Sequence, residues 1–256
     1  MINKIKNSLL RSIHIRSYVS FLRAFWFIKI RKKLVLHKGS DSVSEHTIFS
    51  NLRRIKSNKN NPHPKAKYLF GIDKAHDGSK VRLLMNPLMS IDRISSRIGK
   101  IKVLVIGPKL ESEILSIRSY GIPKKNIDAI DLISYSPWVK SGDMHNLPYE
   151  KCTFDVIISG WVIAYSDNKQ RAVDEMVRVA KDGAIIGIGV GYSPSSNKEI
   201  IEKRGYLISS EERIPNNQFL FNLFKDRIDK IYFKHDIDDN RKEMSGKILS
   251  LFSIKK

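Results

Sequence analysis

The stretch IKVLVIGPKLESE, from Ile101 to Glu113, decides the fold class. It opens with a continuous apolar run that ends at Gly107 and continues into a segment rich in acidic residues. Such a run is typical of a strand that helices cover on both faces, and acidic residues are favoured in the first turn of a helix. The stretch therefore predicts a strand, a tight turn and a helix.

Strand and helix signals alternate along the chain after this stretch. Strands are predicted in NIDAIDLI, FDVIISGWVI and AIIGIGVGY, and a helix in DNKQRAVDEMVRVAK. This alternation indicates βαβ units and a mainly parallel sheet. The last two predicted strands, IDKIYFKHDI and GKILSLFSI, are joined by a charged segment without helical character, which indicates an antiparallel closing hairpin. The expected fold class is α/β, with a Rossmann-like sheet.

The region before the first strand is predicted to be a separate extension. Residues 1–95 are interpreted as a basic helical and hairpin extension that could act as a lid, and residues 96–256 as the Rossmann-like domain. The hairpin is predicted between KYLFGI and KVRLLM, with a turn at Asp77-Gly78,. A short helix is expected over Asn86–Lys100, and SNKNNPHPK is the clearest linker,.

Positive charge is concentrated at the start of the chain. The net charge is +20, and residues 1–67 hold sixteen Lys or Arg against two acidic residues, a net charge of +14. A basic block of this size can attract nucleic acid or an anionic membrane surface; the alternative is a solvated arm. The single cysteine, Cys152, excludes an internal disulfide and fits a cytoplasmic protein, peripheral at a membrane if the basic block binds one,.

Two residues at strand ends are candidates for ligand binding. Gly107 closes the first strand, where a glycine allows a ligand to approach the backbone. Asp131 stands near the end of the second strand, 24 residues later, where a carboxylate can accept hydrogen bonds from ribose hydroxyls,. A turn or helix-capping aspartate is the alternative interpretation of Asp131.

The segment Gly142–Ser166 resembles the class I S-adenosylmethionine-dependent methyltransferases, in particular their methyltransferase domain group. That group shows a GDxxxLPF…FDxV pattern, and this sequence has GDMHNLPY followed by FDVI. The later EMVRVAKDGAIIGIGV resembles the helix, turn and fifth strand of the group. The resemblance covers about residues 101–192 and the closing strand pair.

The resemblance implies S-adenosyl-L-methionine as the cofactor, no metal, and a role for each matching position. Gly107 would lie beside the methionine moiety, Asp131 would bind the ribose, and Asp143 would accept a hydrogen bond from the adenine amino group. The remaining matching positions are predicted to line the adenine ring (Met144) and to face the methyl donor and the substrate (Ser159, Gly160, Trp161). Apart from the resemblance, we hypothesise that Glu111 holds the ammonium group of the cofactor.

The sequence departs from the family pattern in its first motif and in its second crossover. Ile106 replaces the usual acidic residue, and GPKLE replaces the glycine-rich turn, with Pro108 removing a backbone donor,. Only eleven residues separate Asp131 from Asp143, which predicts a loop with a short strand instead of a helix.

No general base stands out, so His145 and Tyr165 are candidates by position only. A histidine near the cleft could deprotonate an acceptor, but a structural histidine is the alternative, as is a rim aromatic for Tyr165. The expected function is methyl transfer to a small-molecule or glycan acceptor. The alternatives are a non-catalytic binding module, because the cofactor loop is degenerate, and an RNA-directed methyltransferase or RNA-binding protein, because the N-terminal region is basic.

Overall fold

The structure is a computed structural model, and it describes residues 80–108, 111–134, 136–204, 210, 212–238, 240 and 242–256, with isolated positions among residues 8–36. Several predictions lie mostly or wholly outside the described residues: the N-terminal basic helices, the linker and the first strand of the hairpin. Lys109, the second residue after Gly107, also lies outside them. The lid role of residues 1–95 stays a prediction.

A seven-stranded sheet forms the centre of the protein, in the order β5-β3-β2-β6-β7-β9-β8. A further two-stranded pairing joins β1 to β4. The described strands are β1 (Val35–Leu36), β2 (Val103–Ile106), β3 (Ile127–Asp131), β4 (Ile133–Ser134), β5 (Lys140–Ser141), β6 (Phe154–Gly160), β7 (Ala180–Tyr192), β8 (Ile228–His235) and β9 (Gly246–Ile254).

The direction of each strand confirms the predicted topology. Strands β5, β3, β2, β6 and β7 pair in parallel, whereas β9 is antiparallel to both β7 and β8. In the closing hairpin, the second strand, β9, therefore lies between β7 and the first strand of the hairpin, β8. The short second crossover is also confirmed, because the described residues between β3 and the two-residue strand β5 include the short strand β4 but no helix.

Helices cover both faces of the sheet, and residues next to each other in β2 contribute to different faces. The described helices are α1 (Arg82–Met89), α2 (Asp92–Ser95), α3 (Glu111–Arg118), α4 (Lys169–Val179), α5 (Asn197–Arg204) and α6 (Asn217–Phe224). Leu104 and Ile106 belong to the core that includes residues of α4 and α6. Val103 and Val105 belong to the core that includes residues of α1 and α3. Burial on both sides explains why β2 is apolar at every position,.

The prediction of a second hairpin strand in KVRLLM is wrong, because the last four residues of this segment lie in helix α1. Val81, Leu84, Met85 and Leu88 are all buried, and their spacing is that of one face of a helix,. The predicted helix over residues 86–100 is likewise divided between the end of α1 and the short helix α2. Helix α1 packs on β7 and β9, and the division of the chain after residue 95 stays a prediction.

Among the described residues, no helix has both the length and the apolar character that crossing a bilayer requires.

Candidate cofactor site

The predicted site residues of three strands lie at one edge of the sheet. In the parallel register, Ile106 of β2 pairs with Ile130 of β3 and with Ser159 of β6. The residues that follow these three, Gly107, Asp131 and Gly160, are therefore level with one another. This is the carboxyl edge of the parallel strands, where ligands of open α/β sheets bind.

Gly107 has the left-handed backbone conformation that favours glycine, with φ of +69°,. Its N–H donates to the carbonyl of Ile130 across the sheet at 2.8 Å. The side chain of Val162 packs directly against its α-carbon: a β-carbon at Gly107 would lie 2.3 Å from Val162 Cγ2. The space beside this turn is therefore filled by the chain itself.

Asp131 and Asp143 are brought together by the short connection through β5. Asp131 is half-buried at the end of β3, and its backbone carbonyl accepts the N–H of Gly142 at 3.0 Å. Asp143 follows immediately, with 4% of its surface exposed, and Met144 is buried in the core on the α4 side of the sheet. The two carboxylates that the sequence predicts for ribose and adenine thus stand at the end of β3 and two residues beyond the end of the neighbouring strand β5.

Asp143, His145 and Ser166 form a buried chain of hydrogen bonds. His145 Nδ1 lies 2.6 Å from Asp143 Oδ1, and Nε2 lies 2.6 Å from Ser166 Oγ. The backbone N–H of His145 also donates to Asp143 Oδ1, at 3.0 Å. His145 is 2% exposed and Ser166 is fully buried. Both ring nitrogens of His145 therefore have protein partners, and its role as a base stays a prediction.

The end of β6 offers both an unpaired hydroxyl and open space. Ser159 is fully buried, and its Oγ has no hydrogen-bond partner among the described residues. A β-carbon at Gly160 would meet nothing within 4 Å. A buried hydroxyl without a partner costs free energy unless a ligand or water satisfies it, and Gly160 next to it leaves space at this strand end.

Trp161 turns away from β6 and covers the end of β7. Its φ of +62° is unusual for a residue with a β-carbon,, and its N–H donates to the carbonyl of Gly189 at 2.6 Å. A β-carbon at Gly189 would lie 3.1 Å from the indole ring, and Lys80 Nζ lies 5.7 Å from the ring centroid. The absence of a side chain at Gly189 therefore makes room for the indole.

The two other predicted site residues are placed less directly. Glu111 is 1% exposed at the start of α3, and its carboxylate accepts a hydrogen bond from the hydroxyl of Ser136. Tyr165 is half-buried in the turn after Trp161, where its N–H donates to the carbonyl of Val162 at 2.9 Å. Neither contact reveals a ligand, so their predicted roles stay predictions.

Helix α4 fixes the segment that follows Asp143. Arg178 donates to the carbonyls of Leu147 and Tyr149, each at 2.8 Å, and to the carboxylate of Glu175. Glu175 also accepts the N–H of Leu147, at 2.7 Å. Burial raises the pKa of Glu175, but the hydrogen bonds from Arg178 and Leu147 outweigh it and lower the pKa below its usual value,.

A cavity of about 440 Å³ lies further along the same edge. Its wall includes Tyr192, Asn217, Phe221, Lys234, Asp236 and Ile237. Tyr192 is the last residue of β7, and Asp236 directly follows the end of β8. Leu249 of β9 pairs with Gly189 of β7 on one side and with His235 of β8 on the other, so the ends of β7 and β8 lie at the same edge of the sheet. Since β8 is parallel to β7, the cavity opens at the edge where the predicted cofactor residues lie.

Among the described residues, no group of three or more His, Cys, Asp or Glu could hold a metal ion.

Sequence reasoning missed Val162, Ser166 and the pair Glu175–Arg178. A signal was available for Ser166, because a hydroxyl two residues before the helix cap Asn168 is well placed to join the start of α4 to a neighbouring loop,. The family resemblance contains a signal for Glu175 and Arg178, which stand in the matching helix. No signal in the sequence identifies Val162 as the neighbour of Gly107.

Comparison with known proteins agrees with this geometry. Residues 120–188 match the family model described as a methyltransferase domain, whereas no curated protein matches the sequence. Among solved structures, the chain is similar to the N-methyltransferase NodS from Bradyrhizobium japonicum WM9 in complex with S-adenosyl-L-homocysteine, at 13% identity and a TM-score of 0.50, covering 83% of this chain and 100% of NodS. It is also similar to a Galdieria sulphuraria protein assigned as a sarcosine dimethylglycine methyltransferase, at 12% identity and a TM-score of 0.50, covering 68% and 85% of the two chains.

These structural similarities concern the fold, and the family match adds the segment that carries Asp131, Asp143 and the end of β6. The sheet order, the antiparallel strand β9 and the matched segment together show a Rossmann-like methyltransferase fold whose central part is similar to a methyltransferase domain.

Proposed function

We propose that the protein binds S-adenosyl-L-methionine at the carboxyl edge of its sheet and transfers the methyl group to a small-molecule or glycan acceptor by direct displacement. The observation that carries the proposal is the level alignment of Gly107, Asp131 and Gly160, with Asp143 on the adjoining segment. The bound cofactor supplies an electrophilic methyl group on a sulfonium, so the chain's own contribution is mainly to orient the reactants.

The adenosine half of the site fits the proposed cofactor. Asp131 would accept hydrogen bonds from the ribose hydroxyls and Asp143 from the adenine amino group, while Met144 would line the ring. The unpaired hydroxyl of Ser159 and the open space at Gly160 add a polar atom and room at the end of β6. A hydrogen bond to an ionised carboxylate is stronger than one between two neutral groups. Two carboxylates therefore suit a ligand that is rich in hydroxyl and amino groups.

The methionine half is filled in this conformation. Val162 packs on Gly107, and the carboxylate of Glu111, which we propose holds the ammonium group, already accepts from Ser136. Binding of the amino-acid part of the cofactor at Gly107 thus requires the Val162 side chain to move. This packing also supports a second candidate function, in which the domain is a non-catalytic binding module.

We place the acceptor in the cavity that begins at Tyr192. Its aromatic and apolar walls, Phe221 and Ile237, alternate with the amide of Asn217 and the charges of Lys234 and Asp236. Apolar walls with a few polar groups are typical of sites for small molecules. An acceptor that carries several hydroxyl or amino groups would find both donors and acceptors there.

Calorimetric titration with S-adenosyl-L-methionine and S-adenosyl-L-homocysteine tests the proposed cofactor. We expect saturable binding by the wild type and a loss of affinity of about 10- to 100-fold in Asp131→Ala and in Asp143→Ala, since each removes a hydrogen bond to a charged group. Asp182→Ala is the matched control, because Asp182 lies near the start of β7, at the other edge of the sheet. Equal affinities in all four proteins would show that the cofactor residues are wrongly assigned.

Two further results separate the candidate functions. If the folded wild type does not bind either ligand but Val162→Ala does, the chain's own side chain closes the site, and the binding-module interpretation gains support. If neither protein binds, the assignment of the cofactor is refuted for the isolated chain.

A further inference from the structure

The buried chain Asp143–His145–Ser166 can satisfy every one of its contacts with one arrangement of protons. The N–H of Asn168 donates to Ser166 Oγ at 3.1 Å, which leaves the hydroxyl hydrogen of Ser166 free to point at His145 Nε2. A neutral histidine with its proton on Nδ1 accepts that hydrogen and donates to Asp143 Oδ1,. We assign this tautomer because it gives each donor an acceptor.

Helix α4 anchors two members of this chain, His145 and Ser166. Asn168 caps α4 by accepting the N–H of Arg171 at 3.0 Å, and Arg171 Nε donates to the carbonyl of His145 at 3.0 Å. The ammonium of Lys169, which is 2% exposed, donates to the carbonyl of Ser166 at 3.0 Å and to Ser210 Oγ at 2.8 Å. Ser166 and His145 are therefore held by backbone and side-chain bonds to one rigid element.

Asp143 receives its orientation from this anchored histidine. The ring N–H and the backbone N–H of His145 both end on Oδ1. Two bonds to one oxygen from different directions fix the plane of the carboxylate and, with it, the direction of Oδ2. A carboxylate fixed in this way can discriminate between a ligand group that donates a hydrogen and one that only accepts.

We propose that His145 and Ser166 are positioning residues that set the orientation of Asp143, and that they thereby determine the preference of the site for the 6-amino group of adenine. The inference rests on the proposed function, since it assumes that Asp143 faces the adenine of the cofactor. The proposed role of His145 differs from that of a general base. Both of its ring nitrogens are hydrogen-bonded to protein groups and the residue is only 2% exposed, so the ring is not accessible to a methyl-accepting substrate.

The test compares S-adenosyl-L-homocysteine with S-inosyl-L-homocysteine, in which an oxo group replaces the 6-amino group. The measured quantity is the ratio of the two dissociation constants, obtained by calorimetry. We expect the wild type to prefer the amino form, and His145→Ala to reduce this preference by roughly tenfold, the worth of one hydrogen bond to a charged group. Ser166→Ala, which removes only the partner of His145 Nε2, should reduce the preference less. His145→Asn should retain most of the preference, because its amide nitrogen can occupy the position of Nδ1.

A control variant removes a buried hydroxyl elsewhere. Ser119 is 3% exposed, and its Oγ donates to the carbonyl of Ser116 at 2.6 Å, beyond the end of α3. Ser119→Ala should leave the ratio unchanged even where it lowers stability, which separates positioning from a general structural effect. Should His145→Ala fail to fold, Ser166→Ala and His145→Asn still give the ratio.

The possible failures can be told apart. Wild-type binding of S-adenosyl-L-homocysteine with no preference over the inosyl compound would overturn the inference while leaving the proposed function intact. An unchanged preference in folded His145→Ala and Ser166→Ala would overturn it as well. No binding of either compound by the wild type would refute the proposed function and, with it, the inference.

Discussion

Replacing Gly107 by alanine tests whether the turn after β2 is as tightly packed as the structure indicates. Two costs add at this position. A residue with a β-carbon in the left-handed conformation costs about 1–2 kcal/mol, and Gly107 has φ of +69°. The new β-carbon would lie 2.3 Å from Val162 Cγ2 and 2.4 Å from Val162 Cβ, and overpacking typically costs about 1–3 kcal/mol. We expect Gly107→Ala to lower the free energy of unfolding by about 2–5 kcal/mol.

Gly160 provides the matched control, because it is also a glycine at the carboxyl edge of the sheet. A β-carbon there would meet nothing within 4 Å, and its φ is not positive. Gly160→Ala should therefore change the free energy of unfolding by less than about 1 kcal/mol. The difference between the free energies of unfolding of the two alanine variants measures the combined cost of the left-handed conformation and the close packing at Gly107.

A double-mutant cycle separates the packing cost from the backbone cost. Val162→Gly removes the β-carbon as well as both methyl groups that face Gly107, so the double variant should recover about 1–3 kcal/mol relative to the sum of the single variants. The assay is urea unfolding followed by circular dichroism, with the slope of each transition compared to ensure that the same structure unfolds. A coupling energy near zero, or equal costs for the two alanine variants, would refute the proposed packing of Val162 on Gly107.

Two further predictions concern the segment held by helix α4. Tyr149→Phe should raise the free energy of unfolding by about 1 kcal/mol, because the buried Tyr149 hydroxyl has no partner among the described residues,; a lower thermal midpoint would contradict this. Glu175 has a lowered pKa in the folded state, so its stabilising contribution is present above the usual glutamate pKa and is lost as the pH falls through the lowered value. The stability difference between wild type and Glu175→Gln should therefore shrink between about pH 7 and pH 3, as measured by thermal unfolding, and a constant difference would contradict the assignment.

The strands that form the centre of the sheet could be predicted because both of their faces are buried. Such strands are apolar at every position, as in β2, and their pattern does not depend on distant partners. The segment at residues 81–88 shows the opposite case, since KVRLLM is short and apolar enough to suit a strand or a helix. Its helical spacing becomes clear only when Val81 and Leu88 are considered together, because Val81 and Leu84 are three residues apart and Leu84 and Leu88 are four residues apart.

The proximity of Gly107, Asp131 and Gly160 could be predicted because each stands at a strand end, and parallel strands bring their ends to one edge. What these residues contact could not be predicted, because each contact depends on a loop of unknown path. His145 and Ser166 are 21 residues apart in sequence, and only the return of the chain through β6 brings them together. Val162 also reaches Gly107 only through the return of the chain, since it stands two residues beyond the end of β6.

The two halves of the proposed cofactor site are held by different means, and this has a consequence for function. In the adenosine half, the segment around Asp143 is joined to α4 through Arg171, Arg178 and the buried ammonium of Lys169, so this segment is fixed before any ligand arrives. The methionine half consists of a glycine turn with one valine packed on it. Because a preorganised half needs no rearrangement to bind whereas the filled half does, substitutions at His145 should alter which base is preferred, and substitutions at Val162 should alter how tightly the amino-acid part is held. Adenosine alone would then bind without the rearrangement that the complete cofactor requires.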